Sequence, residues 1–152
     1  MNDVQTLLTD INTNLLEILK LLGLQNGASV KTPVGTDKTV DLKISRIFTT
    51  IGISANLSGY KFLREAIKLT IREPNIINNI TTQLYPKVAQ IFDTSTSKVE
   101  RAIRHAIDTS YNRGKMENIN SLFGMRVYNS REKPTNSEFI ALVADKLMLE
   151  SV

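Results

Sequence analysis

With 152 residues, 41% of them hydrophobic, the chain can bury one substantial core. It has no cysteine and a single histidine, which excludes thiol chemistry and cysteine metal sites and fits a reducing, cytoplasmic setting. The net charge of +4 is unevenly placed: residues 1–40 hold three lysines against four acids, net −1, whereas residues 41–152 hold 16 basic against 11 acidic groups, net +5. Attraction for a polyanion therefore belongs to the second part.

The first element covers residues 1–22. Val4, Leu8, Ile11, Leu15, Ile18 and Leu22 recur at alternating spacings of four and three, the seam of a coiled coil over three heptads, which implies a homo-oligomer of undefined number. Leu7, Leu16, Leu19 and Leu21 widen the stripe, so an amphipathic helix folded back on its own domain stays open as a second reading. Asp3, Asp10 and Glu17 against Lys20 make this helix acidic, which argues against a membrane surface. No positive start precedes an unbroken apolar run, so a signal peptide is not expected either. Residues 23–40, with Gly23, Gly27, Gly35 and Pro33, read as a flexible linker.

Residues 41–152 show helical periodicity and no strand pattern of consequence, so the expected fold is all-α. Asp41 is placed to cap a helix running to Ile51, with Leu42, Ile44, Ile47, Phe48 and Ile51 inward and Gly52 ending it. Ser58 to Arg72 forms a second, with Tyr60, Leu63, Ala66, Ile67 and Ile71 on its apolar face and Pro74 closing it. Asn75 caps a short helix around Ile76 to Thr82. From Leu84 to Phe92, Pro86 suits a first turn, Val88, Ala89 and Phe92 share a face, and small Ala89 allows close approach. Asp93 to Thr96 is a polar break, after which Thr96 or Ser97 can cap a helix reaching Gly114. Val99, Ala102, Ile103, Ala106 and Ile107 are its inward set. Two helices joined by so tight a turn, over about residues 84–113, have the pattern of a helix-turn-helix. Met116 to Phe123, stopped by Gly124, and a last helix introduced by Pro134, Thr135 and Ser137 complete the domain; Phe139, Leu142, Val143, Lys146 and Leu147 form the last inward face.

The outward residues of the 97–114 helix carry the chemistry. Arginine can donate bidentately to guanine O6 and N7 and glutamate can accept from cytosine N4, so Glu100, Arg101 and Arg104 form a candidate base-reading trio for double-stranded DNA. Ser97, Lys98, His105, Arg113 and Lys115 are the candidate contacts to the DNA backbone. Glu100 and Arg104 also have the spacing of an ordinary i,i+4 ion pair on a solvated face, and both readings stand on the sequence. With His105 alone, there is no histidine cluster for zinc, no Ser-His pair with a nucleophile signature and no glycine-rich phosphate loop; Glu65 and Glu73 read as surface pairing. No enzyme activity, cofactor or metal is expected.

Three runs in order, Gly59 to Ile67, Val99 to Ile107 and Lys133 to Leu147, resemble the C-terminal effector domain of the stage zero sporulation protein A family of response regulators, over about Asp41 to Glu150. The resemblance implies an all-helical DNA-binding unit that recognises boxes of the TGTCGAA type and regulates transcription. Full-length members of that family resemble two-domain regulators with a phosphorylated receiver; the forty or so residues here before the effector-like part are too few for a doubly wound domain of roughly a hundred or more. The resemblance further implies a contact with the RNA polymerase sigma subunit, for which Met116, Asn118, Phe123 and Val127 are the matching candidates, core packing being the other reading of Phe123 and Val127. Two functions follow: a transcription regulator that oligomerises independently of receiver phosphorylation, or an interaction protein that captures a sporulation regulator or the polymerase.

Overall fold

The computed structural model describes residues 37–129 and 131–150. The heptad seam from Val4 to Leu22 and the linker residues before Asp37 lie outside the described residues. Six α-helices occur among the described residues: α1 (Asp37–Ile51), α2 (Ser58–Arg72), α3 (Tyr85–Ile91), α4 (Thr96–Asn112), α5 (Asn118–Phe123) and α6 (Asn136–Glu150). A 3-10 turn (Pro74–Asn79) and a π turn (Ile80–Leu84) join α2 to α3, and no described residue lies in a strand.

Helix α1 begins four residues before the expected Asp41 cap, taking Asp37 to Val40 from the linker. Electrostatics explains the extra turn. Asp37 stands at the helix N-terminus, where a carboxylate is favoured, and Arg72 Nη2 lies 3.0 Å from each of its carboxylate oxygens. One turn later Asp41 faces Lys68 at 3.1 Å and Arg64 at 4.0 Å. Acids four apart on α1 thus meet basic residues four apart on α2. The extra turn also brings Val40 into the stripe it forms with Ile44, Ile47, Phe48 and Ile51. Leu42, expected inward, falls between the stripe positions and is 65% exposed.

The single α-helix expected at Ile76 to Thr82 is replaced by the two irregular turns. This stretch is rich in β-branched residues, which lose rotamer freedom in a regular helix. The change of pitch lets Ile76 and Leu84 both reach the core; the Tyr85 amide donates to the Ile80 carbonyl five residues back.

Helix α2 crosses the middle of the domain, packing on α4 along one face and on α6 along another. Leu63, Ala66 and Ile67 of α2 are fully buried, as are Phe48 of α1, Ile103 and Ile107 of α4, and Phe139 and Ile140 of α6. Gly59 sets the closeness of the α2–α4 crossing, for a Cβ at that position would lie 2.1 Å from the Ala102 carbonyl oxygen. Only a hydrogen fits between the two backbones.

Helix α6 starts at Asn136, behind a Thr135 hydroxyl that accepts from the Glu138 amide at 3.1 Å and donates to the Glu138 carboxylate at 2.9 Å, a variant of the capping box. The buried Asn136 amide donates to the Tyr85 hydroxyl at 3.0 Å and the Glu100 carbonyl at 3.2 Å. One side chain therefore ties α6 to both α3 and α4. No helix among the described residues is long and apolar enough to cross a membrane.

Candidate nucleic-acid interface

Helix α3 ends at Ile91, and two residues further on Asp93 has a φ of +50°, the left-handed conformation usually filled by glycine. The Asp93 amide donates to Gln90 and the Thr94 amide to Ala89, which reverses the chain within two residues. Ser95 consequently lands in the cap position, and its hydroxyl accepts from the Lys98 amide at 3.2 Å. The cap is thus Ser95 rather than Thr96 or Ser97, because the reversal is complete earlier than the polar run alone suggests.

From this cap α4 buries Val99, Ile103, Ala106, Ile107 and Ser110, with Ala102 half-covered against Gly59. Ser97, Lys98, Arg101, Arg104 and His105 are exposed together on the other face, with Glu100 half-exposed. Arg104 donates to the Glu100 carboxylate at 2.8 Å, so the i,i+4 pair forms, yet Arg104 stays 61% exposed. Arg101 makes no ion pair with a described residue.

The two flanks of α4 differ in charge. One side is a groove lined by Ser58, Lys61, Phe62, Thr94, Lys98, Arg101 and Ala102. The other brings Glu100, Arg104 and Asp108 beside Tyr85, Asn136 and Lys133, with Lys133 Nζ 2.8 Å from Asp108 Oδ1. Burial raises the Tyr85 hydroxyl above its ordinary pKa, partly opposed by the Asn136 hydrogen bond. Lys61 is exposed on α2, and its place off that helix's apolar stripe is the one sequence signal that marks it.

At the far end of α4 the side chains turn to the C-terminus of α1. Ser110 donates to the Ile51 carbonyl, Arg113 to that of Gly52 at 3.5 Å and Asn118 to that of Thr50 at 3.1 Å, covering carbonyls with no helical partner. The Lys115 side chain lies beside Gly52. Arg113 and Lys115 are therefore not gathered with the other backbone candidates: at 1.5 Å rise per residue, Arg113 is roughly 22 Å along the axis from Lys98.

Among the polymerase candidates, Met116 is only 2% exposed, so its side chain belongs to the core and is not offered to a partner. Phe123 and Val127 are half-buried, Phe123 beside Ile47 and Leu147. The exposed Asn118 holds α1 as described. Asn120 shapes the loop that follows: its Oδ1 accepts from the Val127 and Tyr128 amides at 2.8 Å each, and its Nδ2 donates to the Tyr128 carbonyl at 2.9 Å. The outward apolar residue here is Met125, 56% exposed.

Fold and surface together define the class: an all-helical effector domain that carries a long helix with a predominantly basic outer face. The family model for the C terminal of sporulation initiation factor Spo0A matches residues 44–147, more than half of the chain. The chain belongs to this family, the DNA-binding effector domains of a sporulation regulator.

Proposed function

We propose that the protein is a sequence-specific regulator of transcription in which α3 and α4 act as a helix-turn-helix and α4 enters the major groove. The observation that carries this reading is the division of α4 into an inner face that is apolar from Val99 to Ile107 and an outer face presenting Ser97, Lys98, Arg101, Arg104 and His105 together. Arg101 and the Glu100–Arg104 pair address base edges, and Lys98, Ser97 and His105 address phosphates. Glu100 limits the directions Arg104 can take, which suits a site with adjacent C and G and hence boxes of the TGTCGAA type. The heptad spacing from Val4 to Leu22 supports an oligomer that brings two effector domains to tandem boxes, raising affinity through effective concentration without new contacts or a phosphoryl group.

The test is fluorescence anisotropy of the full chain on a duplex with two TGTCGAA-type boxes and on a scrambled duplex, with mass from light scattering in parallel. Preferential binding by an oligomer is expected. Equal binding to both duplexes would remove the sequence-specific reading and shift the function to capture of another protein.

A further inference from the structure

We infer that the groove between the first turn of α2 and the start of α4 is a site for one backbone phosphate of the duplex, with Lys61 as its anchoring cation. The inference rests on the reading of α4 as the DNA-contacting helix and adds to it a residue from outside the two-helix unit.

Lys61 Nζ stands 5.4 Å from the ring centroid of Phe62 and 5.3 Å from that of Phe92. The two rings meet edge to face at 65° with centroids 5.3 Å apart, so they form a fixed platform. An aromatic face attracts an ammonium through its quadrupole but leaves the charge unneutralised, available to an external anion. No described carboxylate forms an ion pair with Lys61, Lys98 or Arg101, whereas Arg64, Lys68 and Arg72 further along α2 are paired with Asp41 or Asp37. Every polar side chain lining the groove of about 450 Å3, namely Ser58, Lys61, Thr94, Lys98 and Arg101, can donate a hydrogen bond, and none is acidic. On the opposite flank the cations Arg104 and Lys133 are already paired with Glu100 and Asp108. The Gly59–Ala102 contact holds the two helices at fixed separation here, so the cations are gathered before DNA arrives. A phosphate seated on Lys61 and Lys98 places Arg101, one turn further along α4, over the adjacent bases, which sets register.

The test uses the full chain with Lys61→Gln and Lys61→Arg, titrated on box-bearing and scrambled duplexes across a salt series. Lys61→Gln is expected to weaken both duplexes alike, by about fivefold near physiological salt, and to lower the slope of log affinity against log salt by about 1, with Lys61→Arg restoring most of the loss. An unchanged slope in Lys61→Gln, while the unaltered chain binds and Arg101→Ala still relaxes its preference, overturns the phosphate site and leaves the DNA reading intact. Failure of the unaltered chain to bind duplex overturns both. Competition by inorganic phosphate at constant ionic strength should be the same in both chains; competition that Lys61→Gln abolishes without any change in salt slope reassigns the groove to a free anion and overturns the proposal.

Discussion

Arg101 and Arg104 share the exposed face of α4, but only Arg104 has a carboxylate within reach, Glu100 at 2.8 Å. Arg101→Ala is expected to lose about 1–3 kcal/mol of binding on the box-bearing duplex and to relax preference at one base pair, because a bidentate arginine–guanine contact is worth that much in discrimination. Lys98→Ala, one turn nearer the start of the helix, should weaken all duplexes alike. Anisotropy on a panel of single-base-changed duplexes separates the two patterns, and identical losses on every sequence would sink the base-reading role of Arg101. Asp37 makes a separate, pH-dependent contribution. The hydrogen bond from Arg72 holds its carboxyl below the ordinary aspartate range. A depressed folded-state pKa gives stability that is complete above the unfolded value, near pH 4, and is lost as the pH falls through the depressed one. Asp37→Asn should therefore have a slightly lower melting temperature than the unaltered chain at pH 7, the gap closing as the pH is taken below about 4; the carboxylate is solvent-exposed, so the gap is small.

At the level of elements, two backbone positions decide where α4 lies. Gly59→Ala puts a methyl carbon into the Ala102 carbonyl, and backbone cannot yield as a flexible side chain does. A loss of about 1–3 kcal/mol or more in urea denaturation is expected, together with weakened DNA binding as α4 is pushed outward. Asp93→Gly acts in the opposite sense. Relief of the left-handed strain at φ +50° should stabilise the fold by about 0.5–1 kcal/mol while leaving the duplex preference unchanged. A destabilised Asp93→Gly would show that the aspartate side chain contributes more locally than its backbone costs. Much of this level was legible beforehand. The end of α2 was given by Pro74 and the stop of α5 by Gly124, since these signals act within a few residues. The first turn of α1 was not legible, because the partner that rewards Asp37 is Arg72, 35 residues away. Gly59 was read only as part of a motif, for nothing nearby announces that a carbonyl of another helix lies against it.

For the molecule as a whole, the positive charge of residues 41–152 sets how strongly DNA binding responds to salt, and the proposed function assigns to the heptad seam of residues 1–22 the joining of two domains. Removal of residues 1–22 is expected to convert the oligomer to a monomer by light scattering and to lower affinity for a two-box duplex while leaving single-box binding nearly unchanged. Equal losses on one-box and two-box duplexes would assign the segment to the integrity of the effector domain instead. The sequence by itself determined the helical class, most of the apolar stripes and which helix carries the arginines, because periodicity, caps and breakers act locally along the chain. Tertiary structure alone decided which of those polar side chains are available. It turned Arg113 and Asn118 toward the open carbonyls of α1, sealed Met116 in the core and brought Lys61 beside Lys98 across the Gly59 crossing. Those assignments depend on which helices meet and how closely, a property of packed surfaces distant in the chain that local periodicity does not encode.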